Sequence, residues 1–151
     1  VAWIKERWGG KLILKGILDA EDARMAAKTG ADALIVSNHG GRQLDGAVSS
    51  ISKLHEIVQE VGDRMEVYVD GGVRSGQDVL KAVALGARGA FLGRAFLYGL
   101  GAEGEAGVVK CLDFVRKELD VSMALCGLRD IGTVDRRIIE LNPFGPTWRE
   151  Q

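Results

Sequence analysis

From Ser37 to Arg42 the chain reads Ser-Asn-His-Gly-Gly-Arg, a base and a permanent cation three residues apart on a turn with two glycines. A histidine side chain is the type best suited to take a proton near neutral pH, so His39 is a candidate general base. Arg42 offers the planar fork that captures a carboxylate at two points. No third and fourth ligands keep company with His39, so a metal centre is poorly supported. A second set lies further on, in Asp70-Gly71-Gly72-Val73-Arg74 and Gly93-Arg94. Two glycine turns leave amide groups bare, each carries an arginine, and each leads into a helix start. Together they describe an anion site, most naturally one for phosphate. Lys15 closes the apolar run KLILK, where it either snorkels to solvent or aims at a negative group. His55, beside Lys53 and Glu56 on an amphipathic pattern, is expected at the surface.

These residues need strands to end beneath them and helices to follow. Ala33 to Ser37 is almost wholly apolar, as a strand buried on both faces should be. Lys11–Lys15, Glu66–Val69 and Gly89–Leu92 give three more strands. Asp19 is placed to cap a helix running to Thr29 and stopped by Gly30. Ser49 or Ser50 caps the next, with Ile51, Leu54, Ile57, Val58 and Val61 on one stripe. Gln77–Leu85 forms a third helix, with Val79, Leu80, Val83 and Ala84 on one face. A short turn at Phe96-Leu97-Tyr98 leads through Gly99 to Gly107 into a long helix striped by Val108, Leu112, Val115, Leu119 and Met123. Val1–Trp8 is helical before the first strand, and Val134–Leu141 is helical near the end.

The strand ends fall at Lys15, Ser37, Asp70 and Gly93, which are 22, 33 and 23 residues apart. A (β/α)8 barrel uses roughly 31 residues per unit. Four units fit, so the expected fold is α/β, half of a TIM barrel over residues 1–128, with a helical tail at 129–151. An open doubly wound sheet competes, but it would gather polar residues at one switch point, not after every strand.

Composition narrows the function. Lys and Arg number 20 against 21 Asp and Glu, and no basic stripe marks a nucleic-acid surface. Glycine is abundant at 21 residues beside 2 prolines, and it clusters at strand and helix ends, as tight turns and close ligand approach require. Cys111 and Cys126 are too few for a disulfide framework and fit a reducing, cytoplasmic setting. No run reaches the roughly 18 apolar residues of a membrane span. The first residue is Val1, already inside a helical pattern, which suggests a piece of something longer.

The motif Ser37-Asn38-His39-Gly40-Gly41-Arg42-Gln43-Leu44-Asp45 resembles the signature of the FMN-dependent 2-hydroxy acid oxidases and dehydrogenases. That family includes glycolate oxidase, L-lactate dehydrogenase and mandelate dehydrogenase. Asp70–Arg74 and Gly93-Arg94 resemble its flavin phosphate motifs, and Leu14-Lys15-Gly16 and Ala102–Val108 also look familial. The resemblance implies the C-terminal half of the barrel, strands five to eight. It implies that His39 takes a proton from a 2-hydroxy acid whose carboxylate Arg42 holds, giving a 2-oxo acid. Lys15 would lie by the flavin N1 and C2 carbonyl, and Ser37 would hydrogen-bond the ring. Asp70, Gly71, Gly72, Val73, Arg74, Gly93 and Arg94 would hold the ribityl phosphate end of FMN.

The family's other substrate- and flavin-binding groups, including an aspartate that orients the histidine, belong to a half not present in this sequence. A half-barrel also leaves two open sheet edges. The expected partner is therefore the N-terminal half or a second copy of the chain, within a tetramer in the complete enzyme. The resemblance leaves a peripheral membrane association open, although no segment supplies an anchor. Two other functions compete: a non-catalytic half-barrel module that binds phosphate, and a barrel enzyme for a phosphorylated substrate.

Overall fold

Four short apolar runs pair into one parallel sheet in the order β1-β2-β3-β4. The computed structural model describes residues 1–139, with β1 at Ile13–Ile17, β2 at Ala33–Val36, β3 at Glu66–Val69 and β4 at Gly89–Ala90. Helix α1 (Ala2–Trp8) precedes the sheet. Helices α2 (Ala20–Ala27), α3 (Ser50–Val61) and α4 (Gly76–Ala84) connect successive strands, and α5 (Arg94–Leu125) follows β4. Parallel crossovers are right-handed, so strands laid down in sequence order send every connecting helix to the same face. An open doubly wound sheet would reverse its order at a switch point. The sequential order is that of a barrel, and four strands make half of one.

Register then sorts the side chains. Leu14, Leu34 and Val67 lie in one row across β1, β2 and β3, and Val36 pairs with Val69. These residues pack with Leu54, Ile57 and Val61 of α3 and Ala82 of α4 in the core. Burying each large aliphatic side chain contributes about 1.5–3 kcal/mol. Alternation sends the next row, Lys15, Ile35, Tyr68 and Gly89, to the opposite face, the interior of the barrel. β1 and β4 are the outer strands.

Several elements differ from their sequence expectation for identifiable reasons. β1 begins at Ile13, not Lys11, because Asp32 holds that segment with its side chain: Leu12 N donates to Asp32 Oδ2 (2.9 Å) and Lys11 Nζ donates to Oδ1 (2.8 Å). Asp19 caps α2 as expected, accepting from the Glu21 and Asp22 amides. Neither Ser49 nor Ser50 caps α3 with its side chain, since the Ser50 hydroxyl accepts from the Asn38 amide at 3.1 Å.

The expected loop from Gly99 to Gly107 is helical instead, and α5 runs through it with a break at Glu103 and Gly104. Gly99 and Gly107 face each other there, and a Cβ on either would strike the other's backbone. The expected helix at Val134–Leu141 is, over its described part, a 3-10 turn at Arg136–Ile138 after another at Ile131–Thr133. Asp130 and Asp135 accept from the Gly132 and Arg137 amides, a local alternative to helix. Glu140 and Leu141 lie outside the described residues. No helix among the described residues is long and apolar enough to cross a membrane.

Candidate active site

The end of β2 builds the turn that carries the candidate base. Ser37 is fully buried, and its Oγ accepts from Lys15 Nζ (3.0 Å) and from the His39 amide (3.1 Å). Asn38 Oδ1 accepts from Gly40 N at 2.9 Å, while its Nδ2 donates to Val48 O at 3.2 Å. These bonds hold a 3-10 turn over His39–Gly41 in which His39 has a φ of 54°. It is the one non-glycine with positive φ among the described residues. Such a conformation costs on the order of 1–3 kcal/mol and persists only where its surroundings over-determine it.

Lys15 sits in the middle of β1, which runs on to Ile17 and does not end at Lys15 as expected, and its side chain is directed and not snorkelling. Its Nζ lies 2.9 Å from Asp70 Oδ2 at the end of β3, so one ammonium ties the middle of β1 to the ends of β2 and β3. The other carboxylate oxygen, Asp70 Oδ1, is buried without a partner among the described residues. An orphaned buried acceptor of this kind calls for a donor from something bound.

The two glycine turns are not equivalent as anion sites. A Cβ on Gly71 (φ 89°) would lie 2.9 Å from Ser50 Oγ and 3.1 Å from Asn38 Oδ1, so the β3 loop rests on the β2 loop. The start of α4 is already occupied. Ser75 and Asp78 form a reciprocal capping box, and Gly76 N donates to Glu118 Oε2 of α5 at 2.9 Å. Burial works against the charge on Asp78, yet the Arg74 and Ser75 amides and the Ser75 side chain prevail and hold its carboxyl below the usual range. By contrast, Gly93 begins α5 with no side-chain cap. The free amides therefore belong to α5, where the helix dipole favours an anion.

All of this surrounds one cavity of about 730 Å³, within the usual range for a small-molecule site. Lys15, His39, Arg42 and Asp70 line it, together with Gly71, Gly72, Val73, Arg74, Gly93 and Arg94. The structure thus brings together every predicted site residue except Ser37, which stands behind the wall and steadies Lys15 and His39. Arg94 reaches across the mouth, its Nη2 lying 3.6 Å from where a Cβ on Gly40 would be. Arg42, Arg74 and Arg94 have no ion pair among the described residues. Four cations face one carboxylate, so the cavity favours an anionic ligand. A methyl on Gly72 or Gly93 would meet nothing within 4 Å, which leaves bare backbone on the wall. Phosphate-bearing FMN fits this donor set, and the orphaned Asp70 oxygen suits a hydrogen-bond donor on the same ligand.

The sequence had not singled out Asn38, Ser50 or Gly16 for roles here, nor Phe91, Leu97 and Tyr98 on the wall. An Asn immediately before a histidine turn is a recognisable cap signal. The apolar wall residues carried none. His55, expected at the surface, is half-buried, with Nε2 at 2.8 Å from Arg136 Nη1 in an exposed contact.

The model of the FMN-dependent dehydrogenase family matches residues 1–141. The chain belongs to that family. Among its relatives, the L-lactate dehydrogenase of Caulobacter vibrioides (strain NA1000 / CB15N) is 55% identical over 137 residues, which are 91% of this chain and 36% of that protein. The L-lactate dehydrogenase of Pseudomonas aeruginosa (strain LESB58) is 51% identical over 132 residues, 87% of this chain and 35% of that one. A tyrosine-to-phenylalanine variant of mandelate oxidase with (S)-mandelic acid superposes with a TM-score of 0.86 at 47% identity, covering 89% of this chain and 40% of that structure. The same variant with the monooxide FMN adduct also gives 0.86, covering 43% of that chain. This chain therefore spans about a third of the length of the curated relatives it matches.

Proposed function

We propose that this chain carries the flavin phosphate site and the base-and-clamp pair of an enzyme that oxidises an (S)-2-hydroxy acid, of lactate or mandelate type, to the 2-oxo acid. One observation carries the proposal: His39 and Arg42 open onto the same cavity as Lys15, Gly72–Arg74 and Gly93-Arg94. The relatives named as lactate dehydrogenases and mandelate oxidase support the substrate class. Bound FMN would accept the two electrons released from the substrate.

The protein's own residues divide the remaining work. Arg42 takes the carboxylate at two points and so fixes which carbon faces the ring. An imidazole nitrogen of His39 takes the substrate proton. Lys15, held at 2.9 Å from Asp70, sets a positive charge on the cavity floor beside an accumulating negative charge. Arg74, Arg94 and the uncapped start of α5 hold the phosphate end.

The test uses the flavin-containing enzyme that bears this chain. It should be yellow and should bleach under anaerobic lactate or mandelate. His39→Gln should lower kcat by about a hundredfold or more, which begins at the lower end of what a general base contributes, while the flavin stays bound. Full activity in His39→Gln would remove the base assignment, and a colourless holoprotein would remove the flavin.

A further inference from the structure

β1 contains an irregularity directly beneath the candidate base. Lys15 pairs with Ile35 and Ile17 with Val36, so Gly16 is the extra residue of a bulge. Its φ of 104° is one that side-chain-bearing residues rarely adopt. Bulges beside active sites re-aim the residues around them. Here the residue before the bulge, Lys15, turns to Ser37 and Asp70.

The bulge residue itself meets His39. A Cβ built on Gly16 would lie 2.5 Å from His39 Cε1, 3.3 Å from Nε2 and 3.5 Å from Nδ1. The closest atom is the carbon between the two nitrogens, and both nitrogens stand farther off by similar amounts. The imidazole therefore presents its Cε1 edge to bare backbone. No described side chain hydrogen-bonds either ring nitrogen, while the His39 amide is held through Ser37. Among the described glycines, Gly16 is the one that the ring edge meets most closely.

We propose that Gly16 is a positioning residue for His39: the bulge strips β1 of a side chain where the imidazole must dock, and so seats the base by contact with main chain. This rests on His39 acting as the base in the proposed reaction. A glycine needed only for its own backbone angle would stabilise the fold without reference to His39. The two roles separate in a double-mutant cycle, because residues that act through one another are not additive.

The cycle uses Gly16→Ala, His39→Gln and the double variant in the flavin-containing enzyme, with kcat, flavin absorbance and thermal unfolding read for each. Gly16→Ala should lower kcat by tenfold or more with flavin retained, since misplacement by about 1 Å can cost on the order of a hundredfold. In the His39→Gln background the same change should alter kcat by less than about twofold. Equal losses in both backgrounds would overturn the seat and leave the base intact. An undiminished kcat in His39→Gln would instead overturn the base, and the seat with it. Should Gly16→Ala fail to fold, the unsubstituted protein still decides: a nuclear Overhauser contact between His39 Cε1–H and the Gly16 Hα protons is expected, and its absence would overturn the proposal.

Discussion

Arg42 and Lys15 are both cations on the cavity wall, but they are held differently and should fail differently. Arg42 has no ion pair among the described residues and is exposed, so its fork is free for a ligand. Arg42→Lys keeps the charge and loses the two-point geometry. We expect KM for the 2-hydroxy acid to rise by about tenfold or more, with a smaller fall in kcat, in steady-state kinetics. A kcat loss with KM unchanged would show that Arg42 acts only in the transition state. Lys15 is 42% exposed and bound to Asp70 and Ser37. A pair this exposed contributes at most about 1 kcal/mol to stability. Lys15→Met should therefore shift thermal unfolding little, yet slow flavin reduction markedly in stopped flow. A large loss of stability with unchanged reduction would make Lys15 a structural tie. Both residues were legible in the sequence as chemistry. How each is held was not, because the Lys15 ion pair depends on Asp70 lying two strands away.

Among the elements, the strands were legible because apolar runs between glycine turns have few other uses. Glu66–Val69 was read to the residue. In the helices glycine does more than end an element. Gly99 and Gly107 are points of backbone contact within α5, and the break falls at Glu103 and Gly104, the latter with a φ of 61°. The start of α4 shows a cap of a different kind, one that removes a helix end from ligand binding. Ser75 accepts from Asp78 N, and Asp78 accepts from the Arg74 and Ser75 amides. Ser75→Ala should cost about 1 kcal/mol, seen as a fall of roughly 3 °C in the unfolding midpoint, with flavin binding retained. Asp78 adds a pH signature. Its carboxyl is held below the ordinary 3.8, so its contribution is complete above that value and is lost as pH falls through the lowered one. Asp78→Asn should be less stable at neutral pH and should flatten the acid limb of a stability-pH curve below about pH 4. An unchanged acid limb would show that the amide bonds do not favour the charged form.

The molecule as a whole has a finished face and an unfinished one. Helices cover the face built from Leu14, Leu34, Val67 and Val69. The opposite face carries Ile13, 44% exposed, and Phe91 at the end of β4 is 45% exposed. The outer sides of β1 and β4 pair with no strand among the described residues. Open parallel edges beside apolar surface invite pairing with another chain. The spacing of polar strand ends made half a barrel legible in the sequence, but not what closes it, since an outer strand's residues carry no local mark of the strand that pairs with them. This chain covers 40–43% of the two matched structures described above, so the remaining strands of such a barrel are the partner to test first. We therefore expect the chain by itself to self-associate in sedimentation velocity. Co-expressed with the complementary strands of a relative's barrel, it should form a one-to-one complex that takes up FMN and loses its edge amides from rapid hydrogen exchange. Protection should appear first at β1 and β4, because only their outer amides gain partners, while β2 and β3 are paired already. A second copy closing the barrel would instead give a homodimer whose β1 and β4 amides are protected without any complementary half. A monomer with slowly exchanging β1 and β4 amides would mean that these edges need no partner at all.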